Sequence, residues 1–215
     1  MSHRIPRILA ASFGLALLAA PVASAQLAPV AQSSFQYGVL AGVALADFHG
    51  ADVGNTSSRT GFVVGGFGRF KASDILAIEP QVIYVQKGAE ADAGSGLIGT
   101  FKVDYIEVPV LLTAQFPVAN DNRIRPSVFA GPAVSFKVHC AINVRNGSNS
   151  VEDSCADAGA SIKGTDFSAV FGAGLEVRAI GFQLRYDLGL SKIEDVSSPQ
   201  DIKTQAWLFT VSFRF

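Results

Sequence analysis

"WLFTVSFRF", residues 207–215, sets five large apolar side chains at alternate positions. Side chains alternate across an extended strand, so Trp207, Phe209, Val211, Phe213 and Phe215 share one face, and Leu208, Thr210, Ser212 and Arg214 share the other. A soluble sheet would turn the aromatic face toward a core, whereas a membrane barrel would turn it toward lipid. The rest of the chain has to decide between them.

The composition is unusual for a soluble domain: 49% of the 215 residues are hydrophobic, only 16% are charged, and there are 21 glycines and 16 phenylalanines. Soluble domains carry roughly 25% charged residues. After the N-terminal region no apolar run approaches the roughly 20 residues that a spanning helix needs. High apolar content without apolar runs means that the apolar residues are interleaved with polar ones, which is what a barrel wall requires.

Seven further segments show this interleaving: Phe35–Ala46, Gly61–Lys71, Ile75–Lys87, Thr100–Phe116, Ser127–Val138, Phe167–Arg178 and Phe182–Leu190. The last is the most regular, with Phe182, Leu184, Tyr186, Leu188 and Leu190 opposite Gln183, Arg185, Asp187 and Gly189. In Thr100–Phe116 the upper part (Phe101, Val103, Tyr105) reads in the opposite phase to Ile106, Val108 and Val110, which predicts a bulge near Tyr105. With the terminus the count is eight, an even number, as in closed antiparallel bacterial barrels. The expected fold is therefore all-β, an eight-stranded up-and-down transmembrane barrel.

The connections alternate in length. Residues 72–74, 117–124 and 179–181 are short links, while 47–58, 88–99, 139–165 and 191–203 are longer excursions. Short periplasmic turns and longer outer loops are the pattern of outer-membrane barrels. The start of the chain agrees with export. A basic beginning (Arg4, Arg7), an apolar run from Ile8 to Ala20 and the small residues Ala23-Ser24-Ala25 have the layout of a cleaved signal. The expected organisation is a signal over 1–25, a short periplasmic segment over 26–34 and the barrel over 35–215. Removing Arg4 and Arg7 turns 17 basic residues into 15 against 18 acidic ones, a formal charge of −3, which gives no reason to expect nucleic acid.

The face opposite the apolar one is rich in Gly, Ser and Thr and carries isolated charges: Arg69, Glu79, Glu107, Lys137, Glu176, Arg178, Arg185, Asp187 and Arg214. These are expected to pair inside a narrow polar lumen, because an unpaired charge in a walled interior is costly. The interior of an eight-stranded barrel is just wide enough for side chains to fill. An ion path lined by the same groups is the alternative, and bilayer conductance separates the two.

Four stretches carry a family resemblance: "AIEPQVIYVQKGA" (77–89), "DYIEVPVLLTAQF" (104–116), "GFVVGGFGRF" (61–70) and the aromatic terminus. They resemble the porin-family, PorT-like outer-membrane β-barrel domain. The resemblance implies a small barrel in the bacterial outer membrane, with lipid and the barrel-assembly machinery as partners, the latter reading the C-terminal strand from Trp207 to Phe215. It does not imply transport.

Cys140 and Cys155 are the only cysteines, and both lie in the longest outer connection. An even count in an exported chain predicts a disulfide. A metal site would need more than His139 beside them. Their loop, "CAINVRNGSNSVEDSCADAGASIKG", is polar, so an external ligand bound through the outer loops is a second functional class, and a solvated loop without a partner is its counterpart. Asn146-Gly147-Ser148 fits a glycosylation pattern that an outer-membrane setting argues against. A lipid-modifying enzyme would need His49 or His139 to converge with Ser57, Ser58 or Ser135. No catalytic, metal or cofactor motif is expected, and the chain is read as a non-enzyme without a cofactor.

Overall fold

The computed structural model describes residues 35–50, 56–94, 96–118, 124–159, 162–191 and 202–215, the side chain of residue 93 excepted. The signal (1–25) and the N-terminal segment (26–34) lie outside the described residues. Nine strands are present among them: β1 (Phe35–His49), β2 (Thr56–Lys71), β3 (Leu76–Gly94), β4 (Leu97–Gln115), β5 (Ile124–Asn146), β6 (Asn149–Ser154), β7 (Thr165–Val177), β8 (Ile180–Gly189) and β9 (Lys203–Arg214).

All pairings are antiparallel, and eight strands close a ring. β1 joins β9 through Gly38↔Arg214 to His49↔Lys203, and β4 joins β5, so the ring has no open edge. The ninth strand, β6, pairs with β5 alone. It stands outside the ring, which accounts for nine strands where the sequence predicts eight.

The apolar positions face outward around the whole ring. Tyr37, Val39 and Val43 on β1, Phe62 and Phe70 on β2, Phe167 and Phe171 on β7, and Phe209, Val211 and Phe213 on β9 are all exposed in the isolated chain. Ring contacts gather at two levels. Phe35–Phe70, Tyr37–Phe215 and Phe213–Phe215 form one girdle, and Phe62–Tyr84, Phe171–Tyr186 and Tyr186–Trp207 form the other. The tyrosines of the second girdle donate their hydroxyls to polar partners, Tyr84 to Asp104 Oδ2 at 2.7 Å and Tyr186 to Gln205 Oε1 at 2.8 Å. Paired aromatic girdles flanking an apolar band mark the two interfaces of a membrane barrel. Trp207 on β9 and Phe215, one residue past its end, are eight residues apart, about 27 Å along an extended chain. At the usual tilt this is about 21 Å of height, close to the apolar band of such barrels.

The rim that holds Phe35 and Phe215 has tight links, including the two-residue turn Arg178–Ala179. The opposite rim differs from expectation. Residues 88–99 are read from sequence as a loop, yet β3 runs to Gly94 and β4 starts at Leu97. Residues 139–154 likewise form a β5–β6 hairpin turned at Gly147 (φ 56°) and Ser148. A glycine with positive φ at the first central position is what a two-residue hairpin of type II′ asks for. Beyond the girdle no lipid enforces apolar alternation, while ladder hydrogen bonds persist. These polar extensions make a sheet that rises above the ring.

The phase of β4 also needs correction. Val103, Tyr105 and Glu107 are all buried and point inward without a break in alternation. A register shift does occur at Asp104/Tyr105, but the extra residue is Val138 on β5, between the pairs Asp104↔His139 and Tyr105↔Lys137. The apolar upper part of β4 therefore faces the interior, where Leu40, Val63, Phe67, Ile83, Val85 and Leu208 join it in one buried cluster. A second cluster holds Leu111, Phe129, Ala133 and Val170. Two glycines make room for these rings. A Cβ at Gly38 would lie 2.7 Å from the Phe67 ring, and one at Gly172 would lie 2.7 Å from Phe129, each ring sitting across the strand pair from its glycine.

Candidate functional site: the filled interior and the outer hairpin

Inward positions of seven ring strands meet in one connected polar network. At its centre Glu107 on β4 accepts from Lys87 Nζ at 2.6 Å, Arg185 Nη2 at 2.6 Å and Ser135 Oγ at 2.9 Å. Arg185 also reaches Asp187 Oδ2 at 3.0 Å, and Lys87 lies 3.5 Å from the same oxygen. Toward the tight rim, Arg185 Nη1 donates to Gln81 Oε1 at 3.1 Å, and Gln81 Nε2 donates to Glu79 Oε1 at 2.9 Å. Glu79 pairs with Arg69 Nε at 2.7 Å, Arg69 Nη1 pairs with Glu176 at 2.6 Å, and Glu176 accepts from Arg214 Nη2 at 2.8 Å.

The network contains four cations, Arg69, Lys87, Arg185 and Arg214, and four anions, Glu79, Glu107, Glu176 and Asp187. Each charge is matched, which a low-dielectric interior demands. Adjacent to the network, buried Asp166 accepts from Thr204 Oγ1 at 2.9 Å and from Ser191 Oγ. The rest of the interior holds the two apolar clusters together with buried Thr113, Gln115, Ser168, Thr210 and Ser212, so the lumen is filled by polar and apolar side chains and is not uniformly polar.

Of the nine charges singled out from sequence, seven meet here. Lys137 does not: it is half-buried near the upper rim, and its Nζ donates to the Ile162 carbonyl at 2.6 Å. Arg178 does not either. β7 ends at Val177, so Arg178 falls in the turn, exposed, where only its carbonyl meets the network by accepting from Arg214 Nη2 at 2.8 Å. Lys87, Gln81 and Ser135 are the members that the charge list omits. Lys87 closes the segment Ile75–Lys87 in the same inward phase as Glu79 and Gln81, and the structure extends β3 beyond it to Gly94.

On the upper rim Cys140 and Cys155 form a disulfide with a Cα–Cα distance of 5.5 Å, spanning 15 residues. The backbone N–H of Cys155 also donates to the Cys140 carbonyl, at 3.2 Å. Asn146-Gly147-Ser148 is the hairpin's turn. On the hairpin Glu152 pairs with Lys102 of β4 at 2.6 Å, and this hydrogen bond, followed by the ammonium charge, holds the Glu152 carboxyl below its ordinary range. Val144 and Val151, opposite each other, remain exposed. His139 is exposed, whereas Ser135 is committed to Glu107 inside the wall. Among the described residues no group of three or more His, Cys, Asp or Glu side chains is placed to hold a metal.

A family model described as "Outer membrane protein beta-barrel domain" matches residues 25–195. No curated protein matches the chain in sequence. Among solved structures the chain is similar to Ail, the attachment invasion locus protein of Yersinia pestis, at 14% identity and a TM-score of 0.43, over 84% of this chain and 98% of that one. It is similar to Neisserial surface protein A at 14% and 0.47, over 83% and 97%, and to OprG of Pseudomonas aeruginosa at 10% and 0.48, over 85% and 97%. The family match is broader than the porin-like, PorT-like group that the strand motifs resemble. With a closed antiparallel ring, an apolar exterior and a family match over most of its length, the chain belongs to the outer-membrane β-barrel domain family.

Proposed function

We propose that this protein is a non-conducting outer-membrane barrel that serves as a rigid support for surface contacts made by its upper sheet. One observation carries the reading: the Lys87–Glu107–Arg185–Asp187 group reaches across the interior with side chains no more than 2% exposed, which argues against a continuous aqueous path at that level. The upper rim supports the second half of the reading. The β5–β6 hairpin is clamped at its base by Cys140–Cys155 and presents Val144 and Val151 to solvent. Functional residues concentrate on such projections from rigid frames.

In this reading residues 1–25 are a cleaved signal, 26–34 a short periplasmic segment, and the tight rim faces the periplasm. The aromatic β9 is the strand read by the assembly machinery. The PorT-like resemblance of the strand motifs fits this architecture as a narrower placement within the family. A channel for small solutes or ions would need the Glu107 group to part. The name of the Yersinia pestis protein speaks of attachment for that protein, whereas surface contact is proposed here on the geometry of the hairpin.

Planar-bilayer recordings of the purified protein test the closed lumen: a flat baseline is expected, and steady unit currents would overturn it. Surface contact is tested by replacing residues 142–153 with a short Gly-Ser turn, which keeps both cysteines. Cell or matrix binding should fall while the barrel still folds, and unchanged binding would remove the hairpin from the proposal.

A further inference from the structure

The turn between β7 and β8 holds a residue that turn chemistry does not call for. Arg178 has φ 59° and is the single non-glycine residue with positive φ among those described. Glycine or asparagine ordinarily takes such a position, because a Cβ is disfavoured there. The turn is fixed from β9: Arg214 Nη2 donates to the Arg178 carbonyl and the Arg214 N–H to the Ala179 carbonyl, both at 2.8 Å.

The Arg178 side chain is exposed and makes no ion pair among the described residues. Glu176, two residues before it, gives one oxygen to Arg69 and the other to Arg214. On the outward face beside it, register aligns Ile124↔Val177, Val177↔Ile180 and Ile180↔Phe213 into one apolar row across four strands. With Phe182 this row floors a groove of about 630 Å³ that Arg178 also lines. A groove with an apolar floor and an unpaired cation at the polar boundary of the wall is built for an amphiphile with a negative head.

The geometry points to a binding site for one anionic glycerophospholipid of the inner leaflet, its acyl chain along the Ile124–Phe213 row and its phosphate on the Arg178 guanidinium. The planar guanidinium matches phosphate by paired hydrogen bonds. Among the described residues no acidic side chain lines the groove, and Glu176 lies buried inside the wall with Arg69 and Arg214, so the ammonium of a zwitterionic head meets no carboxylate there. A net negative headgroup such as phosphatidylglycerol is therefore preferred over phosphatidylethanolamine. The leaflet assignment rests on the proposed orientation, with the tight rim toward the periplasm.

The test is native mass spectrometry of the delipidated full-length mature protein, titrated with the two lipids carrying identical acyl chains. Wild-type should retain phosphatidylglycerol about fivefold more than phosphatidylethanolamine, the size expected of one interfacial cation. Arg178→Gly suits the backbone, so the fold is kept, and it should abolish the preference; Arg178→Lys should restore most of it. Equal retention by wild-type, or a preference that survives Arg178→Gly, would overturn the site. Orientation is read separately, from an epitope inserted between Gly147 and Ser148 and detected on intact cells. An epitope reachable only after the cells are opened would overturn the inner-leaflet assignment, even where the headgroup preference holds.

Discussion

Two lysine–glutamate pairs in this molecule have the same N–O distance, 2.6 Å, and little else in common. Lys87–Glu107 lies inside the ring with side-chain exposures of 2% and 0%, whereas Lys102–Glu152 lies on the upper sheet with 30% and 45%. The inner pair cannot be solvated if it is broken; the outer pair exchanges its partner for water at little cost. Distance alone therefore says nothing of importance here. Burial and connectivity decide, because Glu107 also receives Arg185 and Ser135, while Glu152 has Asn143 at 3.4 Å as its other partner.

The comparison predicts its own ranking of variants. Glu107→Ala leaves two buried cations, Lys87 and Arg185, to share the single carboxylate of Asp187, so the barrel should lose about 3–5 kcal/mol in urea unfolding from lipid vesicles. A loss under 1 kcal/mol would mean that water enters the lumen and screens the group. Next, Val211→Arg puts a charge on the outward face midway between Trp207 and Phe215 and should cost about 2–4 kcal/mol. Replacing outward-facing Val211 tests the wall from the other side, since a soluble barrel would accept an exposed arginine there.

The disulfide comes third. Joint Cys140→Ser and Cys155→Ser replacement frees a 15-residue loop, worth at most about 3 kcal/mol by chain entropy. Because the hairpin stands outside the ring, the loss should be local: hydrogen exchange should quicken in β6 and stay unchanged in β1 and β9. The smallest effect belongs to Lys102–Glu152. The Glu152 carboxyl titrates below its ordinary value when folded, so its contribution is present above the unfolded value and fades as pH falls through the folded one. Glu152→Gln should leave thermal unfolding at neutral pH unchanged within error, and a clear drop would show that the upper sheet is coupled to the ring.

The ring was legible in the sequence because lipid enforces alternation. Tyr37, Phe62, Phe167, Phe182 and Phe209 had to face the same medium, and no other pattern satisfies that. The charged inner positions were legible by the same parity, which brought Arg69, Glu79, Glu107 and Arg185 to one side of the wall. Which charge meets which was not legible, since Arg69 finds Glu176 across 107 residues of chain through barrel closure. Three other features were hidden for separate reasons. The extensions of β3, β4 and β5 sit above the lipid, where no medium imposes alternation. The inward apolar cluster around Tyr105 looked like a phase error, because an interior may be filled with either kind of side chain. Arg178 continued the β7 alternation by sequence, and only the hairpin's turn takes it out of the wall.

The central claim is that the apolar face looks to lipid, and the protein's single tryptophan reports on it without mutation. Trp207 lies on that face at the upper girdle, 46% exposed in the isolated chain. In vesicles containing brominated acyl chains, Trp207 emission should be blue-shifted and strongly quenched. Emission untouched by bromine, from a protein that stays monodisperse without detergent, would place Trp207 in a protein core and contradict the account.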